Sequence, residues 1–155
     1  MVDKKLVLFS KNEKYAFIKW QDSQATLGRK LVYSNGENLK YGDPAEIISV
    51  AGGKEFNPFI QSALSEGGYY KEHYNFIFGY QPADYENEEI KENDVKIHYA
   101  GVDNTITKKE FYDMCLLLCD AKLNGLDLIE DKEVSREDLV SIKSQLKEKI
   151  KIYSV

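Results

Sequence analysis

Residues 72–81 read EHYNFIFGYQ, residues 83–94 ADYENEEIKEND, residues 95–101 VKIHYAG and residues 105–123 TITKKEFYDMCLLLCDAKL. In the first piece Tyr74, Phe76, Phe78 and Tyr80 recur at period two, which places four aromatic rings on one face of a β-strand. Val95, Ile97 and Tyr99 repeat the period, with Lys96 and His98 turned the other way. Two such strands joined by a polar connection are most simply an antiparallel pair. After a short turn beyond Gly101, Thr107 followed three residues later by Glu110 is the pairing of a capping box. Phe111 to Leu123 is too continuously apolar for a surface helix. The stretch from His73 to Leu123 therefore predicts strand, acidic link, strand and a helix laid across the sheet.

Working outward, Leu6–Phe9 and Tyr15–Trp20 are β-prone runs separated by the polar SKNEK, the pattern of a hairpin. Ala16, Ile18 and Trp20 fall on one face of the second run and Tyr15, Phe17 and Lys19 on the other, so both faces are expected to be covered in part. QDSQATLG has no period and reads as a linker. Leu31-Val32-Tyr33 and Leu39-Lys40-Tyr41 flank Asn35-Gly36, a tight-turn dipeptide, which predicts a second hairpin. AEIISVA predicts a further strand. Asn57-Pro58 predicts a helix start, with proline at the first helical position, and the helix ends by Gly67-Gly68. Beyond Leu123, Asn124-Gly125 is a helix exit. Ser135 with Asp138 caps a last helix whose stripe is Leu139, Ile142, Leu146 and Ile150. The sum is an α+β fold over residues 1–155 as one domain: a mostly antiparallel, twisted sheet of about five to seven strands. A central helix over about 108–123 and a C-terminal helix pack on it.

A chain of 155 residues suits one domain, since domains commonly hold about 100–200, and 43% hydrophobic with 30% charged residues excludes a disordered composition. No apolar run approaches the roughly 18–20 residues of a membrane span, and the opening MVDKKLVLFS is too short in its apolar part for a secretory signal. A cytoplasmic location is the expectation. Cys115 and Cys119, four apart on the predicted central helix, are poorly placed for a mutual disulfide. The net charge of −5 is unevenly spread. Residues 1–40 carry eight basic and four acidic side chains, residues 41–106 four and twelve, residues 107–155 nine and ten. That balance argues against nucleic acid as a partner, because a phosphate backbone is bound by clustered Lys and Arg.

The residue patterns contain no nucleophile elbow, phosphate-binding glycine loop or HExxH motif. The cysteines with His73 and His98 are the only metal-ligating combination, but CxxC spacing is missing and both thiols sit in a run expected to be core. No catalytic, metal or cofactor site is expected. The remaining feature is the acidic link, where Asp84, Glu86, Glu88, Glu89, Glu92 and Asp94 stand against Lys91 alone, with Tyr85 and Ile90 embedded. Such a stretch is either a plain solvated loop or a docking surface, in which carboxylates steer a basic protein and apolar groups anchor it. On the second reading Asp84, Tyr85, Glu86, Glu88, Glu89, Glu92 and Asp94 are the partner-binding residues. The alternative is a ligand-binding or enzymatic domain with a pocket near His73 and His98.

NFIFGYQ, DYENEEIKENDVKIHYAG and ITKKEFYDMCLLLCDAKL together resemble the small immunity proteins of bacterial contact-dependent inhibition and related polymorphic toxin systems. In those an FxFG-like strand, an acidic link, a strand and a helix opening I-[ST]-x-x-E-F-Y recur. The resemblance spans about fifty residues. It implies a cytoplasmic, cofactor-free protein that is not an enzyme. Such a protein binds a cognate toxin C-terminal domain, often a nuclease, and blocks its active site or substrate groove, with no nucleic acid or membrane partner.

Overall fold

A computed structural model of the protein describes residues 5–21, 26–51, 55–71, 74–79, 90–125 and 134–154. Among the described residues, seven strands form two antiparallel sheets rather than one. The first contains β1 (Lys5–Lys11), β2 (Tyr15–Gln21) and β3 (Thr26–Tyr33) in the order β1-β2-β3. The second contains β4 (Tyr69–Tyr70), β5 (Tyr74–Phe78), β6 (Asp94–Tyr99) and β7 (Val102–Thr107) in the order β4-β5-β6-β7. Helices α1 (Glu46–Val50) and α2 (Phe56–Ser65) lie between the sheets in sequence, and α3 (Lys108–Leu123) and α4 (Arg136–Ile152) follow them. The fold is α+β with a central helix and a C-terminal helix, and α3 packs against strands of both sheets as well as α4.

The central helix behaves as its sequence requires. Phe111, Tyr112, Met114, Cys115, Leu117, Leu118, Cys119 and Ala121 are all buried, covering more than one face. The Thr107 hydroxyl oxygen accepts the Glu110 N–H at 3.1 Å, although the Glu110 carboxylate meets the Thr107 hydroxyl rather than completing the box on the backbone. On α4, Ser135 and Asp138 form the full reciprocal box, and Leu139, Ile142 and Leu146 face inward. One core cluster draws on both sheets and every helix, including Phe17, Ile48, Phe59, Phe76, Phe111 and Leu146. The other face of β2 and β3 is covered too, with Ala16, Ile18 and Val32 in a smaller cluster.

β1 is fastened to α3 through a bulge. Its partner positions jump from Leu8↔Ile18 to Ser10↔Phe17, leaving Phe9 as the extra residue. The Ser10 hydroxyl then donates to the Leu117 carbonyl at 2.7 Å, and the Asn124 amide donates to the Phe9 carbonyl. Each bond satisfies a backbone or side-chain group withdrawn from water.

Several expectations from sequence are corrected. Residues 45–51 are not a strand: Ala45 and Ile48, and Ile47 and Ala51, are all buried at helical spacings of three and four. Asp43, one residue before the proline, accepts the Ala45 N–H at 2.9 Å in the turn that leads into the helix, and no side chain caps α1 itself. The second hairpin shrinks to one bridge, Val32↔Asn38, beyond the turn at Gly36. The chain leaves the sheet there because Asp43 is held at 2.8 Å by the Tyr15 hydroxyl and at 2.7 Å by that of Tyr33. Thr26–Gly28, read as linker, open β3. Residues 102–107, passed over after Gly101, are strand β7. Its alternating half-buried pattern was hidden because the inward Asn104 is polar, donating to the Gly42 carbonyl at 2.6 Å. Helix α2 begins at Phe56, so Pro58 is the third residue of its first turn, where a missing N–H is still harmless. The stretch LDLIEDKE falls within residues 126–133, outside the described residues.

Helix α2 ends on Glu66, whose φ of 57° is left-handed although Gly67 and Gly68 follow immediately. Glycine is the usual occupant of that position. The exception is explained by the carboxylate, which is only 4% exposed. It accepts from the Lys108 ammonium at 3.3 Å, the Lys149 ammonium at 3.1 Å, and the Tyr112 and Tyr153 hydroxyls at 2.8 Å each. The two tyrosine rings stack at 5.9 Å, and Lys108 lies 5.1 Å from the centre of the Tyr153 ring. The end of α2, both ends of α3's first turn and the C-terminal end of α4 thus share one buried anion.

Two predictions follow from this cluster. Glu66→Gln removes the negative charge shared by the buried Lys108 and half-buried Lys149 ammonium groups and is expected to lower unfolding free energy by about 3–5 kcal/mol, read from urea denaturation. Burial, then the bond to Glu66, pushes Tyr153 up to about 12 and raises Tyr112 further from the ordinary 10.0. A proton held more firmly in the folded chain contributes stability that is complete below the unfolded value and lost as pH rises through the folded one. Stability to urea should therefore hold up to about pH 10 and fall steeply above it, and Tyr153→Phe should flatten that fall.

Candidate interaction surface

The acidic link leaves and re-enters the second sheet at a tightly made root. Phe78 pairs with Val95, and the Gly79 N–H donates to the Asp94 carbonyl at 3.1 Å. The Asp94 N–H in turn donates to the Lys91 carbonyl at 2.9 Å. Gly79 is required by proximity: a β-carbon there would stand 1.8 Å from the Lys91 carbonyl oxygen. The root also meets α3, since the Lys108 N–H donates to the Asn93 carbonyl at 2.8 Å and Asp94 pairs with Thr107, the residue capping that helix.

Of the expected partner-binding residues, Glu92 is exposed in the turn before β6 and Asp94 is half-buried at the first position of that strand. Lys91 is exposed and Ile90 half-buried. Asp84, Tyr85, Glu86, Glu88 and Glu89 lie outside the described residues.

More carboxylates gather at the same end of α3. A cleft of about 440 Å³ opens between the β1–β2 turn and the first turns of α3, and Glu13, Glu110 and Asp113 line it together with Ile106 and Met114. The turn is fixed by Asn12, whose side-chain oxygen accepts the N–H groups of Lys14 and Tyr15 at 2.9 and 2.8 Å. Lys109, in the same lining, is 3.0 Å from Asp113. That hydrogen bond, then the charges of Asp113, Glu13 and Glu110, raise the Lys109 pKa. A helix N-terminus carries partial positive charge, so acidic side chains are favoured around it.

Sequence reading missed this part of the surface. Glu110 was recognised only as a capping residue, and Glu13 lies in a turn almost a hundred positions away. No local signal joins them; only the packing of β1 and β2 on α3 does.

His98 is not among the residues lining this cleft. His98 lies across from Asp103 on the neighbouring strand, its Nδ1 2.5 Å from the carboxylate, with Lys96 3.9 Å from the other oxygen. His73 is outside the described residues. Cys115 and Cys119 are both free and buried, and burial pushes the Cys119 thiol up to about 12 and Cys115 higher. Neither is a thiolate at neutral pH. Among the described residues no group of three or more His, Cys, Asp or Glu is arranged to hold a metal ion, and no helix is long and apolar enough to cross a membrane.

Gly79→Ala should separate the two ends of the link at their root, with a loss of about 1–3 kcal/mol in urea unfolding. An alanine variant as stable as the parent would mean that the Lys91 carbonyl is not held against residue 79.

No protein-family model, curated protein or solved structure matches this chain.

Proposed function

We propose that the protein is a stoichiometric inhibitor of a basic partner, an immunity protein that neutralises the C-terminal toxin domain of a competing bacterium's secreted protein. A nuclease is the favoured target, a ribonuclease before a deoxyribonuclease. The observation that carries this reading is the convergence of carboxylates at one end of α3: the root of the acidic link on one side, and Glu13, Glu110 and Asp113 on the other. A toxin groove built to hold a polyanion is positively charged, and a surface dense in carboxylates matches it. Inhibition would be by occlusion, without a cofactor, in the cytoplasm where the toxin acts. An interface of this kind buries about 1,200–2,000 Å² in total. The resemblance of residues 75–123 to immunity proteins supports the same class.

The test starts from the neighbouring gene, where a large secreted protein ending in a small basic domain is expected: that domain is co-expressed with this chain, scored as restored growth, and association kinetics are then measured on the purified pair. The association rate should fall as salt rises. Reversing Glu88, Glu89 and Glu92 to lysine should slow association by about tenfold or more while leaving the circular dichroism of the free protein unchanged. Equal affinity in that triple variant removes the acidic link as the docking surface.

A further inference from the structure

The cleft beside α3 combines two chemistries that a solvated acidic patch lacks. Ile106, Met114 and Pro44 give it apolar lining, while Glu13, Glu110 and Asp113 supply negative charge. Its volume, about 440 Å³, is that of a site able to enclose a side chain. It is also already occupied by a cation, because the ammonium of Lys109 sits on Asp113 at 3.0 Å. Both members of that pair are more than a third exposed and lie four apart on one helix, a geometry that holds its partners weakly. The remaining lysine of the lining, Lys14, has its ammonium 5.5 Å from the centre of the Tyr15 ring. Three carboxylates disfavour an anion.

We propose that this cleft receives one arginine side chain of the basic partner, its methylene stem against Ile106, Met114 and Pro44 and its guanidinium displacing the Lys109 ammonium from Asp113. The inference rests on the inhibitor reading above and adds an anchor to it. Arginine suits the site better than lysine, because its planar fork meets a carboxylate with two parallel hydrogen bonds and it is more weakly hydrated. Lys109 is then a placeholder: it keeps the carboxylates compensated in the free protein and leaves when a better-shaped cation arrives. Buried side chains of this type, surrounded by a polar rim, commonly dominate binding at protein interfaces.

The whole chain, labelled at its methionine and isoleucine methyl carbons, is titrated with N-acetyl-arginine amide and, separately, with N-acetyl-norleucine amide as the uncharged counterpart. The arginine compound should shift the Met114 and Ile106 methyl signals saturably, and the norleucine compound should bind about tenfold more weakly or not at all. Asp113→Asn should weaken the arginine response by about tenfold, whereas Lys109→Met should strengthen it severalfold. Equal responses to the two amides, silence at both methyls, or an arginine affinity that Lys109→Met leaves unchanged or lowers would each overturn the proposal. The outcome separates from that of the parent reading. Silent methyls with a toxin complex weakened by the Glu88, Glu89 and Glu92 reversal remove the anchor alone. An arginine response in a chain that fails to protect against the toxin domain removes the inhibitor reading and leaves a cation-binding cleft.

Discussion

The buried carboxylate of Glu66 is the constraint on which the helical half of the molecule depends. A charge at 4% exposure is tolerable only where opposite charge and hydrogen bonds replace water, and Lys108, Lys149, Tyr112 and Tyr153 supply them. These groups come from α3 and from the end of α4, so the anion fixes how both helices meet the end of α2. The requirement is strong enough to place a glutamate in a left-handed conformation beside two glycines that would adopt it more easily. Lys108 is itself the first residue of α3, and its backbone N–H holds Asn93 at the root of the acidic link. Core electrostatics and surface geometry are therefore joined at one residue.

Helix α3 does the corresponding work for the apolar core. Its side chains are buried on several faces because it contacts strands of both sheets and also α4. That position also explains why both cysteines are chemically quiet. They are small residues at the centre of the packing, with Cys119 donating to the Leu139 carbonyl at 3.4 Å and both thiols protonated. By contrast the N-terminal turn of α3 holds Asn93 at the root of the acidic link and borders the β1–β2 turn across a cleft, where carboxylates from two distant parts of the chain, Glu13 with Glu110 and Asp113, share one lining. One helix thus organises the interior along most of its length and presents charge at its beginning.

The caps of α3 and α4, the alternation in β2 and β6 and the apolar run of α3 could all be read directly, because each is a repeat or a pairing within about four residues, whereas the cap read at Asn57 lies inside α2. Errors arose where a tertiary partner overrode the local pattern. AEIISVA has strand-like composition, yet Asp43 and burial on a helical period make it α1. Strand β7 was overlooked because its inward Asn104 breaks the apolar alternation and is satisfied only by the Gly42 carbonyl, sixty-two positions away. The division into two sheets was also beyond local reading, since either arrangement satisfies the same alternating strands.

What the amino-acid sequence determined by itself was the kind of element at most positions, the burial of the central helix and the concentration of acid between Asp84 and Asp94, all consequences of short-range periodicity and composition. Only the tertiary structure decided that Glu66 would be enclosed by lysines and tyrosines up to eighty-seven positions away, and that Glu13 would face Glu110 and Asp113 across a cleft. The physical reason is that a side chain's charge is written in the sequence, but its dielectric surroundings and its partners exist only once distant segments have packed together.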